Sequence, residues 1–98
     1  MHRLKPEKLL TVIASSALEN TLAALARRHG VTGYTIVQAS GAGASGVQSG
    51  RLDIDTNILM YVILGQSGLP ALLDELEAMT RRGHHLKVFV SDIAALDP

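Results

Sequence analysis

The chain has 98 residues, no cysteine, and nine basic and nine acidic side chains, so its formal charge at pH 7 is zero. This composition excludes disulfides and zinc–thiolate sites and argues against the basic surface that nucleic-acid binding requires. Hydrophobic residues make up 47% of the chain but aromatic residues only 3%, which predicts one small domain with an aliphatic core.

The chain carries no predicted membrane span or signal segment. Its longest apolar run, residues 58–64, is far shorter than the roughly 20 residues that cross a bilayer. The charged start, MHRLKPEK, leads into no apolar region of the signal type. We therefore expect a cytoplasmic protein that does not insert into membranes.

The first half of the chain predicts a strand, a helix and a second strand. Residues 8–14 (KLLTVIA) are short, apolar and partly β-branched, as in a buried strand. Ser16 and Glu19 have the spacing of a capping box, and Gly30 can end the helix in the left-handed conformation. Residues 33–39 (GYTIVQA) predict the second strand. The predicted buried side of the helix recurs at helical spacing: Leu18, Leu22, Leu25 and His29.

The second half predicts the same order of elements. Residues 57–65 (NILMYVILG) predict a third strand. Ser67 can cap a helix over about residues 69–82, Pro70 is tolerated in its first turn, and Gly83 can end it. Residues 86–92 (LKVFVSD) predict the fourth strand. The inward stripe of this helix is predicted at Leu69, Leu72, Leu73, Leu76 and Met79.

The predicted order βαββαβ is typical of the α+β, ferredoxin-like fold. In that fold two helices cover one face of a four-stranded antiparallel sheet. The other face would here carry aliphatic side chains, so self-association over it is more favourable than exposure to water.

A glycine-rich segment separates the two halves. Gly41, Gly43 and Gly46 match G-x-G-x-x-G, but they follow the second strand and no helix pattern comes after them, which excludes the dinucleotide-binding fingerprint. The connection spans roughly a dozen residues, whereas hairpin connections usually have 2–5. Its backbone amides can form a nest for a phosphate; a flexible linker is the alternative.

Several motifs resemble the PII signalling family. Residues 30–43 (GVTGYTIVQASGAG) have the family's spacing of glycines and β-branched residues, KLLTVIA lies at the family's distance before Gly30, and KVFV at residues 87–90 matches the last strand. The middle of the chain, with DIDTNI at residues 53–58, is similar to PII-like proteins that accompany bicarbonate transporters and carboxysomes. The resemblance implies a single PII-like domain over residues 1–98, with the T-loop at about residues 40–53.

The resemblance also implies an assembly and a function. PII proteins are trimers that bind adenine nucleotides in clefts between subunits, and the T-loop reports the ligand to a partner. It therefore implies a homotrimeric regulator, not an enzyme, with no metal and no tightly bound cofactor. The implied ligands are ADP or AMP, and bicarbonate. The implied partner is a bicarbonate transporter or a carboxysome-associated protein.

Specific positions carry over from the family to this sequence. The resemblance implies nucleotide contacts from Ile13, Thr35, Gly41, Ala42, Gly43, Ala44, Ser45, Ile63 and Lys87, with Thr35 supplied by the neighbouring subunit. Candidates for contacts with bicarbonate or another anion are Gly46, Arg51, His84 and His85.

The sequence departs from classical PII proteins in its cations and in one loop. Only His84, His85 and Leu86 separate Gly83 from Lys87, where classical members have a longer glycine-rich loop. Ser45 stands where they place a magnesium-binding glutamine, and their arginines after the last strand have no counterpart. Fewer cations favour ADP or AMP over ATP.

Three alternative functions are open to a βαββαβ domain of this sequence. An RNA-recognition module needs stacking aromatics on its central strands, and here the first and last strands offer only Phe89. A small-molecule regulatory domain of the amino-acid-binding type explains the fold and Gly30 but not the glycine-rich segment. A small enzyme lacks a catalytic constellation, since Asp53 and Asp55 stand without a nucleophile or metal cluster.

Overall fold

A computed structural model of the chain describes residues 2–31, 33–40 and 57–97. Over these residues it forms four strands and two α-helices in the order predicted. They are β1 (Leu4–Ser15), α1 (Glu19–Arg28), β2 (Tyr34–Ala39), β3 (Asn57–Leu64), α2 (Leu69–Arg81) and β4 (Leu86–Leu96). The α+β, ferredoxin-like fold predicted from the sequence is confirmed.

The strands form one antiparallel sheet in the order β2-β3-β1-β4. β1 lies inside the sheet, so Thr11 is opposite Tyr61 on β3 and opposite Phe89 on β4. Because side chains alternate along a strand, this register places the even-numbered strand residues on one face and the odd-numbered ones on the other.

The even-numbered face packs against the two helices and forms the core. Fully buried side chains contribute roughly 1.5–3 kcal/mol each when they are as large as Leu, Ile or Met. No aromatic ring belongs to the buried set of the described residues, which confirms the aliphatic core predicted from composition. The cluster comprises Leu10, Val12, Ala14, Leu22, Leu25, Ile58, Met60, Val62, Leu72, Leu76 and Met79.

Two strands are longer than their apolar patterns predict. β1 begins at Leu4 rather than at residue 8, and β4 continues to Leu96 rather than ending at residue 92. The added residues pair with each other, with Leu4 opposite Leu96, while the β1–β3 register ends at Lys8. Pro6 is tolerated there because this part of β1 has a strand on one side only.

The helix starts differ from the predicted caps. The hydroxyl of Ser15 accepts a hydrogen bond from the amide of Ala17 at 3.2 Å, and a 3-10 turn over Ser16–Leu18 precedes α1. The capping box predicted for Ser16 and Glu19 is therefore wrong, because Ser15 provides the cap and α1 begins only at Glu19, after Leu18. The cap predicted at Ser67 is also wrong: Ser67 lies inside the 3-10 turn Gln66–Gly68, and no side chain caps α2.

The helix ends agree with the sequence. Gly30 and Gly83 have φ of 73° and 102°, in the region that favours glycine. The amide of Val31 donates to the carbonyl of Ala26 at 3.1 Å, and the amide of His84 donates to the carbonyl of Met79 at 3.1 Å. Each turn thus redirects the chain into the next strand.

None of the helices in the described segments is long and apolar enough to cross a membrane.

Candidate functional site

The odd-numbered strand residues form a second face of the sheet, here called the open face. Within the described part of the chain, both helices pack against the opposite face. Val37, Ile63 and Phe89 on the open face expose 45%, 52% and 47% of their surface. The described candidate contacts Ile13, Thr35, Ile63 and Lys87 all have odd numbers within their strands and so share this face.

Two of these candidates lie together at one end of the sheet. Ile13 on β1 is the cross-strand partner of Lys87 on β4. At the same end Ala39 pairs with Asn57, which is where the chain leaves β2 and later re-enters the sheet. Ile13 is half-buried and Lys87 is exposed. We call Ile13 and Lys87 the loop-end pair.

The other two candidates lie together toward the opposite end. Thr35 on β2 is opposite Tyr61 on β3, and Ile63 follows two residues later on β3. Diagonal neighbours of this kind lie about 7–8 Å apart. Both side chains are exposed. We call Thr35 and Ile63 the far-end pair.

The two pairs are separated along the strands. Ile13 is opposite Leu59, whereas Ile63 is opposite Leu9, a difference of four residues or about 13 Å at 3.3 Å per residue. One chain therefore does not gather the four candidates into a single pocket. The chain has the two pairs on one face of the sheet, at different positions along the strands.

One residue of each pair also borders a concave surface. Lys87 borders a groove of about 540 Å³ between α2 and β4, together with Leu73, Glu77 and Val88. Because α2 packs on the other side of the sheet, this groove is not part of the open face. Ile63 lines a cavity of about 350 Å³ beside the turn that follows α1.

A polar cluster joins the two helices, and its His29 lines the same cavity as Ile63. The Arg28 guanidinium donates to Glu75 Oε1 at 2.5 Å, and the His29 ring contacts Glu75 Oε2. The hydrogen bond from His29 and then that from Arg28 hold the pKa of the Glu75 carboxyl below its usual value. The cluster anchors the C-terminal end of α1 to α2, and thereby the turn that leads into β2.

Of the remaining candidates, two histidines lie within the described residues and the others do not. His84 and His85 are exposed in the turn that leads into β4, next to the loop-end pair in sequence. Within residues 2–31, 33–40 and 57–97, no three His, Asp or Glu side chains group as a metal site. The candidates Gly41, Ala42, Gly43, Ala44, Ser45, Gly46 and Arg51, with the T-loop predicted there, lie outside the described residues.

Sequence reasoning missed the side chains between the two pairs. Thr11 is only 2% exposed although it lies on the open face, because Tyr61 and Phe89 flank it on the adjacent strands. The signal was present in the alternation of these strands, which assigns all three residues to the face of the candidates. Their row, Thr35–Tyr61–Thr11–Phe89, crosses the whole sheet.

Comparison with known families gives the decisive observation. The family described as "Nitrogen regulatory protein P-II" matches residues 7–97, which is nearly the whole chain. The chain belongs to the PII family. PII-family proteins are regulatory signalling proteins. No curated protein sequence matches this PII-family chain significantly.

Solved structures agree with this membership. CPII, a nitrogen regulatory PII-like protein from Thiomonas intermedia K12, bound to ADP, AMP and bicarbonate, is 30% identical and superimposes with a TM-score of 0.86, covering 100% of this chain and 95% of that one. Its apo form is 28% identical, with a TM-score of 0.83 and full coverage of both chains. A PII-like signalling protein from Thermus thermophilus is 28% identical, with a TM-score of 0.77, covering 94% of this chain and 91% of that one.

Proposed function

We propose that this PII-family protein senses ADP or AMP together with bicarbonate, and reports them to a partner in inorganic-carbon metabolism. The observation that carries the proposal is its 30% identity, over its whole length, to a PII-like protein whose structure holds ADP, AMP and bicarbonate. The partner is a bicarbonate transporter or a carboxysome-associated protein. The protein is a cytoplasmic regulator rather than an enzyme, and it holds no metal or tightly bound cofactor.

The proposed binding site lies between copies of a homotrimer. An adenine nucleotide is elongated, and the loop-end and far-end pairs are about 13 Å apart along the strands. A cleft between two copies can combine Ile13 and Lys87 of one copy with Thr35 of the next. Since Ile63 lies beside Thr35 on the same chain, Ile63 comes from the same copy as Thr35.

The family resemblance gives each residue a role that suits its chemistry. The Lys87 ammonium makes a charge-assisted contact with phosphate, while Ile13 and Ile63 pack against the adenine ring. The Thr35 hydroxyl hydrogen-bonds the adenine edge. The amides of residues 41–45 cradle the phosphates as a nest, and Gly46, Arg51, His84 and His85 supply donors for bicarbonate.

Calorimetry tests the proposal directly. ATP, ADP, AMP and cyclic AMP are titrated separately into the protein, with and without bicarbonate, at matched pH and ionic strength. We expect ADP or AMP to bind and bicarbonate to tighten that binding. Absence of binding by all four nucleotides under both conditions would contradict the function proposed here.

A further inference from the structure

Three consecutive polar residues tie the C-terminal end of α1 to two other elements. The Arg27 guanidinium donates to the Tyr34 hydroxyl at 3.2 Å, and Tyr34 is the first residue of β2. Arg28 and His29 both contact the Glu75 carboxylate on α2, Arg28 at Oε1 with a distance of 2.5 Å and His29 at Oε2. The turn from α1 into β2 is therefore held from two sides, by β2 itself and by α2.

The least exposed side chain of the Glu75 cluster is that of His29. Only 18% of it is exposed, against 59% for Arg28 and 38% for Glu75. Buried polar groups require a hydrogen-bond partner, and Glu75 provides one for the Nε2 atom of the ring. The amide of the same residue donates to the carbonyls of Leu25 and Ala26 at 3.2 Å each. The contact with Glu75 thus fixes the point at which the chain leaves α1.

This turn borders the adenine side of the proposed site. His29 and Ile63 line one cavity of about 350 Å³, and Ile63 belongs to the far-end pair. Thr35, the other member of that pair, directly follows Tyr34, where the ladder between β2 and β3 begins. The position of Thr35 therefore depends on the turn as well as on the ladder, whereas Lys87 lies on β4 at the other end of the sheet.

We infer that Glu75 is a positioning residue for adenine recognition. Through His29 and Arg28 it holds the turn between α1 and β2, and that turn sets how the Thr35 hydroxyl meets the adenine edge. The inference rests on the proposed function and identifies what controls the base specificity of that site. Glu75 acts through other residues, so removing its charge should change the contact with the base and leave the phosphate contact of Lys87 in place.

The ratio of two affinities tests this inference. Inosine 5′-diphosphate (IDP) has the same ribose and phosphates as ADP, but its base carries a carbonyl oxygen where adenine carries an amino group. We expect the wild type to prefer ADP over IDP, and Glu75→Gln to reduce that preference roughly 2–10-fold, the scale of one neutral hydrogen bond. Calorimetry with both nucleotides on the same preparation measures the ratio.

The ratio separates positioning from a loss of stability. ADP and IDP bind the same folded protein, so partial unfolding lowers both apparent affinities by the same factor and leaves their ratio unchanged. Glu77→Gln is the matched control, because it makes the same chemical change on the same helix and Glu77 pairs with Arg81 there at 3.2 Å. We expect this control to keep the wild-type preference.

Two substitutions at His29 distinguish its hydrogen bond from its packing. His29→Gln places an amide nitrogen near the position of Nε2 and can still donate to Glu75, whereas His29→Leu has no donor. We expect His29→Gln to keep most of the preference for ADP, and His29→Leu to lose as much of it as Glu75→Gln does. Equal losses in both His29 variants would assign the effect to packing of the ring and overturn the role of Glu75.

The outcomes separate this inference from the proposed function. A Glu75→Gln variant with the wild-type ratio overturns the inference, as does an equal loss in Glu77→Gln. A wild type that binds ADP and IDP equally also overturns it, because the site then has no base specificity to control. In each case, binding of ADP or AMP that bicarbonate tightens would still support the proposed function.

Discussion

Lys87 is the cation whose position is best defined at the candidate site. It is exposed and directly opposite Ile13, at the end of the sheet where residues 41–56 connect to the strands. Hydrogen bonds to charged groups contribute about 1.5–3 kcal/mol, so we expect Lys87→Ala to weaken ADP binding at least tenfold. Calorimetry measures this, with Lys5→Ala on the far end of β1 as the control. An unchanged affinity would show that Lys87 does not contact the phosphates.

Glu75 determines a different, pH-dependent property. Its hydrogen bonds to His29 and Arg28 lower the pKa of its carboxyl in the folded state from 4.5. A lowered pKa contributes stability that is fully present above the unfolded value and is lost as the pH falls through the folded value. We therefore expect Glu75→Gln to reduce the free energy of unfolding at neutral pH, with the difference from wild type disappearing at pH values well below 4.5.

Urea denaturation at several pH values measures this effect. Glu77→Gln is the matched control, because Glu77 pairs only with Arg81 on its own helix in the contacts described. Equal losses for the two variants at neutral pH, with the same dependence on pH, would contradict a special role for the cluster that joins the helices.

The ends of the helices give a prediction at the level of elements. Gly83 has a φ of 102°, and no atom lies within 4 Å of the position that a Cβ would occupy. The cost of Gly83→Ala is therefore conformational, about 1–2 kcal/mol for an L-residue in the left-handed region. Gly65 is equally open but has a φ of −74°, so Gly65→Ala should cost nothing and can add about 0.4–1 kcal/mol. Chemical denaturation of both variants checks the difference.

The same elements show how much of the fold the sequence can predict. The positions of α1, α2 and the four strands follow from the period of their apolar residues and from Gly30 and Gly83, which need only local information. The start of α2 at Leu69 also follows, but the caps and the start of α1 do not, because a 3-10 turn precedes each helix and neither Ser16 nor Ser67 is the residue that caps it. The full lengths of β1 and β4 depend on their mutual pairing, which no local pattern near Pro6 reveals.

The sequence predicts which residues belong to the candidate site, but it does not predict which of these residues lie next to each other. The family resemblance identifies Ile13, Ile63 and Lys87, but alternation assigns faces only within one strand, and their common face follows from the strand pairing. Their grouping depends on strand register, which sets Ile13 against Lys87 and leaves Ile63 near Thr35. This register cannot be read from the sequence, because it depends on which residues of different strands pair in the folded sheet.

For the molecule as a whole, the open face predicts association. Val37, Ile63 and Phe89 are all about half exposed on one side of the sheet, and exposed apolar patches of this kind mark interaction surfaces. We expect a homotrimer at micromolar concentrations, measured by light scattering together with sedimentation. Replacing Val37 by Lys should weaken the trimer while leaving the core unchanged, because Val37 lies outside the buried cluster.

The binding of bicarbonate and the binding of the adenine nucleotide should also be coupled in the assembled protein. Bicarbonate is a small planar anion, and a guanidinium presents two parallel donors that match a carboxylate-like plane. Arg51 is the arginine of the predicted T-loop, the segment whose glycines are proposed to cradle the nucleotide phosphates. Two ligands that use the same segment share the free energy of ordering it, so each tightens the binding of the other by the same factor.

We expect bicarbonate to tighten ADP or AMP binding by a factor of about 5–150, the usual range of coupling between sites. Arg51→Ala should remove most of this factor while retaining more of the nucleotide affinity measured without bicarbonate. Arg3→Ala, at an exposed arginine just before β1, should leave both quantities unchanged. If nucleotide affinity is the same with and without bicarbonate at matched pH and ionic strength, the two ligands are independent and the protein senses adenine nucleotides alone.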